Sequence, residues 1–315
     1  MPETIPEPQS AAQPAPFGPV VTTADLADAL AGPVDRRPVV LDVRWRLLGP
    51  PGVESYRDGH LPGAVFLDVD TDLAGVPGSA GRHPLPEPAD LQRVLRGAGV
   101  RGDRPVVAYD DADSSVAARA WWLLRWAGHQ RVAVLDGGFA AWRAEGRPVT
   151  AEIPDPQQGD ITVEPGHLPV LDADGAAALA RDGVLLDARA RERYTGDHEP
   201  VDPRGGHVPG ARNAPFAAHV GSDGRWRSPE QLREHFARVG VDVDVPGSDA
   251  PGREAGQGPG GAGVGVYCGS GVTASSVVLA LERAGRDTPA ALYAGSWSHW
   301  SADPDRPAAT GDDPG

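Results

Sequence analysis

The sequence predicts an α/β protein built from two similar domains, each a mainly parallel sheet flanked by helices on both faces. The chain has 315 residues, more than the roughly 100 to 200 of an average domain. A set of short motifs occurs twice along it, and each copy alternates short β-branched runs with amphipathic helical patterns. A rhythm of strand, helix and strand is typical of parallel sheets that are covered on both sides.

The internal repeat shows how the chain is divided. The first copy reads LDVR at 41–44, GHLPGA at 59–64, VVAYD at 106–110 and LDGGFAAW at 135–142. The second copy reads LDAR at 186–189, GHVPGA at 206–211, GVYC at 265–268 and YAGSWSHW at 293–300. The spacing of the motifs agrees apart from an insertion in the second copy, the Gly- and Pro-rich stretch 245–265, which we interpret as a mobile surface loop.

These landmarks predict the domain boundaries. Residues 20–148 would form the first domain and 169–305 the second, with the Pro-, Asp- and Gln-rich segment 149–168 as the linker. Residues 1–19 lack the basic start and apolar stretch of a signal peptide and are expected to be a disordered tail. Residues 306–315 would be a short C-terminal tail.

The strands and helices follow from hydrophobic periodicity. Six short β-rich runs predict the strands, at 39–43, 106–109, 132–135, 184–187, 264–267 and 290–293. In the first copy, Ala117, Trp121 and Leu124 fall on one face of a predicted helix. The matching helix of the second copy carries Ala274, Val277, Val278 and Leu281.

Composition excludes several classes of function. The formal net charge is −15, so attraction to nucleic acid or to an anionic membrane is a poor expectation. No lysine occurs, which excludes a lysine Schiff base and a Walker phosphate loop. One cysteine cannot form an internal disulfide or a four-cysteine zinc site. No apolar run approaches the ~20 residues that a membrane helix needs. We therefore expect a soluble, cytoplasmic protein.

The single cysteine, Cys268, is the candidate nucleophile. It follows a buried-looking strand and precedes a Gly-Ser-Gly loop that leads into a helix. Such a loop can turn several backbone N–H groups inward, and together with the helix dipole these favour a thiolate. The first copy has Asp110 at the equivalent place, and a carboxylate cannot act as a sulfur nucleophile, so the first domain is predicted to be inactive. The alternative is a buried structural cysteine.

Together these motifs resemble the two-domain rhodanese sulfurtransferases. The resemblance rests on CGSGVTA at 268–274, on the two motifs GHLPGA and GHVPGA, and on YAGSW at 293–297, and it covers residues 20 to 305. It implies a tandem of two rhodanese-like domains, an inactive first half, and a catalytic cysteine that cycles through a persulfide. The loop sequence resembles that of the 3-mercaptopyruvate sulfurtransferases. Thiosulfate-preferring members more often carry basic residues after the cysteine.

The resemblance also implies roles for further residues. Ser270 would donate a hydrogen bond or carry a proton beside the sulfur, and His60 would serve with it from across the domain interface. For His60 the alternative is a purely structural His-x-Pro-Gly turn, because His207 has the same local sequence. Arg193 would hold the anion of the substrate, with Arg204 as the nearest candidate for a second anchor. The expected lining of the substrate site is Gly269, Gly271, Val272 and Thr273, of which Thr273 is also placed to cap the following helix.

The function expected from the sequence is transfer of a sulfane sulfur from 3-mercaptopyruvate to an acceptor through a Cys268 persulfide. The acceptor would be a thiol, such as thioredoxin or a low-molecular-weight thiol, or cyanide, and no metal or organic cofactor is needed. Thiosulfate:cyanide sulfur transfer is the first alternative, and a non-catalytic rhodanese-like binding module is the second. A cysteine phosphatase is excluded, because position 274, where its arginine would stand, is alanine.

Overall fold

The chain forms one sheet and its flanking helices in each half, in a computed structural model that describes residues 18–243 and 263–315. The first half contains β1 (Val20–Val21), α1 (Thr23–Ala31), β2 (Val39–Asp42), α2 (Gly52–Asp58), β3 (Val65–Phe66), α3 (Pro88–Gly97), β4 (Val106–Tyr109), α4 (Ala117–Trp126), β5 (Val132–Leu135) and α5 (Gly138–Ala144). The second half contains β6 (Val170–Leu171), α6 (Ala173–Asp182), β7 (Val184–Asp187), α7 (Arg191–Thr195), β8 (Arg212–Asn213), α8 (Pro229–Arg238), β9 (Val264–Tyr267), α9 (Ala274–Arg283), β10 (Ala291–Tyr293) and α10 (Ser296–Trp300). Two 3₁₀ turns complete the elements, Val34–Arg36 and Phe216–His219.

The two sheets have the same topology. Their strand orders are β1-β5-β4-β2-β3 and β6-β10-β9-β7-β8, and every strand pair within them is parallel. The registers match as well, since Asp42 pairs with Tyr109 in the first sheet and Asp187 with Tyr267 in the second. The predicted α/β class with a parallel sheet in each half is therefore confirmed. All six runs expected to be strands form them, and four further strands of two residues each lie at the sheet edges.

A buried ion pair at the first long strand of each half explains part of this symmetry. Arg44 donates to Asp42 at 2.7 Å, and Arg189 donates to Asp187 at 2.6 Å, with all four side chains at most 2% exposed. Each arginine also donates to a carbonyl oxygen in the turn that precedes a His-x-Pro-Gly motif, that of Gly59 or Gly206. The two aspartates, at matching positions of the repeat, thus have a structural role.

The two halves are in contact through α4 and α9. Side chains of both helices, including Trp121 and Leu281, belong to one continuous core, and Arg125 forms an ion pair with Glu282 at 2.7 Å across the contact. Because each helix follows the loop at the carboxyl end of a central strand, both loops lie near the interface between the halves. The helix packing therefore determines where a site between the domains can form.

The segments outside the two sheets lie partly along them. In the predicted linker 149–168, Thr150 pairs with His60, and the N–H of Gly159 donates to the carbonyl of Arg96 at 2.8 Å. Near the C-terminus, Ala309 pairs with His207. Most of the loop expected at 245–265, namely residues 245–262, lies outside the described residues. Its last two residues, Val264 and Gly265, are the first two of β9. No helix in the described ranges is long and apolar enough to cross a membrane.

A buried histidine makes the stability of the second half sensitive to acid. His219 is 1% exposed, packs against Trp226, His235 and Phe236, and neither ring nitrogen has a hydrogen-bond partner among the described residues. Burial, with smaller contributions from His235 and Arg227, lowers the pKa of His219 to about 3 from the ordinary 6.5. Folding thus requires the neutral ring, and stability is lost as pH falls below 6.5.

We therefore expect His219→Leu to be less sensitive to acid than the original chain. When the pH falls from 7.5 to 5, the original chain should lose about 2 kcal/mol of unfolding free energy because of His219. The variant has no imidazole at this position and should not show this loss. Urea unfolding at both pH values measures the difference, and His167→Leu, at an exposed histidine, is the control. Equal losses of unfolding free energy in the His219 variant and the original chain would contradict this assignment.

Candidate active site

Cys268 lies at the carboxyl end of β9, in the loop that leads into α9. Its side chain accepts a hydrogen bond from the N–H of Gly271 at 3.1 Å, and its own N–H donates to Ser296 Oγ at 3.1 Å. Gly271 has φ +85°, and a Cβ there would lie 2.5 Å from the carbonyl oxygen of Ala294. Glycine is therefore required for the loop to close around the sulfur.

A cavity of about 290 Å³ gives access to this sulfur from the interface between the two halves. Cys268 itself is only 2% exposed. The first half contributes Trp45, Leu47, Arg82, Ser115 and Val116 to the lining, and the second contributes Arg189, Ala190, Arg193, Phe216, Cys268, Gly269, Ser270, Val272 and Thr273. The cavity thus combines apolar walls with guanidinium groups, a combination suited to a small anionic ligand.

Of the four loop residues expected to line the substrate site, all but Gly271 line the cavity. Gly269, Val272 and Thr273 line the cavity, and Gly271 holds the sulfur through its N–H group. Thr273 stands at the N-cap position, directly before α9, but its side chain makes no capping hydrogen bond. The expectation that it caps the helix was wrong, since its backbone is already helical and its side chain faces the cavity.

Ser270 belongs to a chain of hydrogen bonds that crosses the interface. Its Oγ lies 2.7 Å from Nδ1 of His83, and Nε2 of His83 lies 2.7 Å from Oδ1 of Asp70. Trp45 donates to the other carboxylate oxygen of Asp70 at 2.9 Å and packs edge-on against the His83 ring. With Nε2 donating to Asp70, Nδ1 is free to accept the Ser270 proton.

The protonation of His83 suits that role. Burial lowers the pKa of His83 below the ordinary 6.5, and the charge and hydrogen bond of Asp70 oppose the shift only in part. The ring is therefore neutral at pH 7 and can accept a proton through Nδ1. Ser270, His83 and Asp70 together form a proton relay that ends beside Cys268.

His60 does not take part in this relay. It is fully buried in the first half, where its ring stacks on Tyr56 at 4.0 Å and its nitrogens face the carbonyl oxygens of Tyr56 and Glu152. His207 repeats the arrangement in the second half, stacked on Tyr194 at 3.7 Å. The expectation that His60 serves with Ser270 is corrected: it has the structural role left open for it, and His83 is the histidine at the site.

The two predicted anion-binding arginines have different positions. Arg193 lines the cavity and donates to the carboxylates of Glu199 and Asp202 at 2.8 and 3.0 Å. Arg204 instead donates to four backbone carbonyl oxygens near the C-terminus, those of Trp300, Ser301, Asp303 and Arg306. Four of its five N–H groups are thus used, and Arg204 is not among the residues that line the cavity, so the expectation that it anchors the substrate is corrected.

Arg119 of α4 brings a buried positive charge to the same loop. It is fully buried and donates to the carbonyl oxygens of Leu73, His83, Pro84 and Gly271, so that it links the first half to the Cys268 loop. Among the described residues its hydrogen-bond acceptors are carbonyl oxygens and not carboxylates. Burial lowers the pKa of Arg119 to about 10, and the charge of the Cys268 sulfur acts in the opposite direction. The guanidinium is charged at pH 7, and an anionic sulfur is its natural counter-charge.

The loop that follows Asp110 in the first half corresponds to the Cys268 loop, and its backbone N–H groups surround a carboxylate. The carboxylate of Asp110, at the place of Cys268, accepts hydrogen bonds from the N–H groups of Ala112, Ser114, Val116 and Ala117 at 2.9 to 3.1 Å. Burial, followed by the charge of Asp113, raises the pKa of Asp110 to about 6, so it is still ionised at pH 7. The loop is therefore a ring of amides around an anion, here a carboxylate that cannot carry sulfur.

Within residues 18–243 and 263–315 no group of three or more His, Cys, Asp or Glu is placed to hold a metal ion. The groups available for chemistry at the cavity are the Cys268 sulfur, the hydrogen-bonded chain of Ser270, His83 and Asp70, and the guanidinium groups.

Comparison with known proteins agrees with this geometry. The model of the rhodanese-like domain matches residues 22–145 and again 172–303. A probable 3-mercaptopyruvate sulfurtransferase of Pseudomonas aeruginosa is 43% identical over 301 residues, covering 93% of this chain and 98% of that protein. A putative thiosulfate sulfurtransferase, SseB of Mycobacterium tuberculosis, is also 43% identical over 301 residues, covering 93% and 97%. The crystal structure of the 3-mercaptopyruvate sulfurtransferase SseA of Escherichia coli superposes with a TM-score of 0.74 at 27% identity, covering 89% of this chain and 99% of that one.

Proposed function

This chain belongs to the rhodanese family and is a sulfurtransferase, and from that premise we propose that it takes sulfur from 3-mercaptopyruvate and carries it as a persulfide on Cys268. The donor and the acceptor are small molecules or small thiol groups that reach the cavity between the two halves. The single observation that carries the choice of donor is the relay of Ser270, His83 and Asp70 beside the sulfur.

The relay favours 3-mercaptopyruvate over thiosulfate because the two leaving groups differ. Breaking the C–S bond of 3-mercaptopyruvate expels an enolate, which must gain a proton to become pyruvate. Breaking the S–S bond of thiosulfate expels sulfite, which leaves as a stable anion without one. A buried, neutral histidine behind a serine hydroxyl is useful for the first reaction and superfluous for the second. The identity to a relative named for thiosulfate keeps that donor as the second candidate.

In the donor step, sulfur passes to Cys268 and the rest of 3-mercaptopyruvate becomes pyruvate. The Cys268 thiolate attacks the sulfur of 3-mercaptopyruvate, an S–S bond forms, and the C–S bond breaks with its electron pair going to the enolate. The proton of the donor thiol leaves the new persulfide and reaches the carbon of the enolate, which gives pyruvate. Ser270 Oγ and His83 Nδ1 hold that proton between the two events. The N–H of Gly271 and the charge of Arg119 stabilise the anionic sulfur.

The second step returns the enzyme to its starting state. A thiolate of thioredoxin or of a low-molecular-weight thiol, or cyanide, attacks the outer sulfur, and Cys268 leaves as the thiolate. We place this reaction in the cytoplasm, where reducing conditions keep a lone cysteine free. No cofactor is needed for either step, because both are nucleophilic substitutions at sulfur.

The test is the mass of the intact protein after incubation with each donor. With 3-mercaptopyruvate, one sulfur atom should be added and pyruvate released in equal amount, and Cys268→Ser should gain nothing. Since the chain has one cysteine, the mass gain has a single possible thiol site. Sulfur added by thiosulfate but not by 3-mercaptopyruvate would replace the proposed donor. No gain from either donor on the folded chain would favour the non-catalytic binding module.

A further inference from the structure

Two guanidinium groups, one from each half of the chain, meet above Gly269. A Cβ placed on Gly269 would lie 3.0 Å from Nη2 of Arg82 and 3.2 Å from Nη1 of Arg193. Gly269 follows the reactive cysteine directly, and both arginines line the cavity that leads to it. Any ligand at the sulfur therefore lies within reach of both side chains.

A buried carboxylate holds the two guanidinium groups together. Asp202 is 2% exposed, and its two oxygens are divided between the arginines: Oδ1 accepts from Nη1 of Arg82, and Oδ2 accepts from Nη2 of Arg193 at 3.0 Å. Glu199 also accepts from Arg193. The backbone N–H of Arg82 donates to Ser298 Oγ at 3.1 Å, which fixes this first-half segment on the second half.

The opposite edges of the two guanidinium groups are available to a ligand. Nη2 of Arg82 and Nη1 of Arg193 make no hydrogen bond to the described part of the chain, and Nε of Arg82 is buried without a partner there. Nη2 of Arg82 and Nη1 of Arg193 are also the nitrogens nearest Gly269. Because Nη2 of Arg82 and Nη1 of Arg193 lie within 3.2 Å of one point, a single carboxylate near that point is within reach of both donors.

We propose that Arg82, from the otherwise inactive first half, binds the carboxylate of the sulfur donor together with Arg193, and that Asp202 positions the pair. This inference rests on the proposed function for the identity of the donor. It makes the donor site a property of the interface, because neither half alone supplies both guanidinium groups. It also replaces Arg204, which the structure places elsewhere, as the second anion-binding residue.

The test compares two reagents that alkylate Cys268 and differ only in charge. 3-Bromopyruvate carries a carboxylate where bromoacetone carries a methyl group. Arg82→Gln should slow alkylation by 3-bromopyruvate about tenfold, which corresponds to the loss of one charge-assisted hydrogen bond, and should leave bromoacetone nearly unaffected. Arg82→Lys should recover part of the difference. Arg125→Gln, which also removes an ion pair between the halves, is the matched control and should change neither rate.

Steady-state kinetics give a second measurement and separate this inference from the proposed function. Arg82→Gln should raise KM for 3-mercaptopyruvate about tenfold with a smaller change in kcat. If the ratio of the two alkylation rates did not change in Arg82→Gln, whether both rates stayed the same or both fell equally, the role of Arg82 would be overturned. If the original chain gains no sulfur from 3-mercaptopyruvate but the reagent ratio still falls in Arg82→Gln, the proposed donor fails and the anion site stands.

Discussion

Replacing His83 by alanine should lower kcat/KM for 3-mercaptopyruvate by about 100-fold to 1,000-fold, the usual contribution of a positioned proton-transfer group. The variant loses the acceptor 2.7 Å from Ser270 Oγ, so the enolate must obtain its proton from water. Ser270→Ala should cause a loss of similar size, and the double variant should be little worse than either one, because the two residues act as one unit.

The choice of donor makes this prediction specific to the relay. Sulfur transfer from thiosulfate needs no proton, so both variants should retain it to within a few-fold. His60→Gln is the matched control, since His60 is also buried but bonded to Tyr56 and Glu152. It should lower the thermal unfolding temperature and leave kcat/KM for 3-mercaptopyruvate unchanged in the folded enzyme. Equal losses on both donors in His83→Ala would show that the histidine supports the loop rather than moves a proton.

The pH profile of the donor step provides an independent check on the same residue. Since burial lowers the pKa of His83, the ring remains neutral as pH falls through the ordinary value of 6.5. The rate should therefore hold at pH 6.5 and decline only at more acid pH, and this acid limb should disappear from the residual activity of His83→Ala. A decline centred above pH 6.5 would contradict the assignment of His83 as the proton acceptor.

The fold could be predicted because its main signals are local. Runs such as Val106–Tyr109 and Val264–Tyr267 are β-branched, bounded and repeated, so their position and parallel pairing followed from the sequence. The strands of two residues, such as Val20–Val21, could not be predicted, because two residues have no periodicity. Their strand geometry comes from pairing with a neighbour, here β5, which is a tertiary contact.

The site was predictable only where its residues are neighbours in sequence. Cys268 and Ser270 belong to one loop, and Arg193 follows a recognisable strand, so each could be chosen from its motif. His83 and Arg82 reach the cavity from the other half of the chain, and no local pattern indicates which loop faces an interface. His60 was chosen in place of His83 from the family resemblance, although the same motif at His207 was itself a sign of a structural role.

Arg119→Met should combine a large loss of stability with a slower reaction at Cys268. The guanidinium donates to four carbonyl oxygens, three of them in fully buried hydrogen bonds, and leaving these unsatisfied should cost about 3 kcal/mol or more of unfolding free energy. The variant also removes a buried positive charge that acts on the sulfur, so alkylation of Cys268 by neutral bromoacetone at pH 7 should slow about tenfold. Denaturant unfolding and alkylation of the folded protein measure the two effects separately.

The chain offers a close control for that separation. Arg204 likewise donates to four backbone carbonyl oxygens, but these lie near the C-terminus and Arg204 does not line the cavity at Cys268. Arg204→Met should therefore lower the unfolding free energy without changing the alkylation rate of the folded protein. If Arg119→Met destabilised the chain but its cysteine reacted as fast as before, the thiolate would depend on the loop amides alone. The first half would then support the reaction through packing and donor binding, and not through its charge.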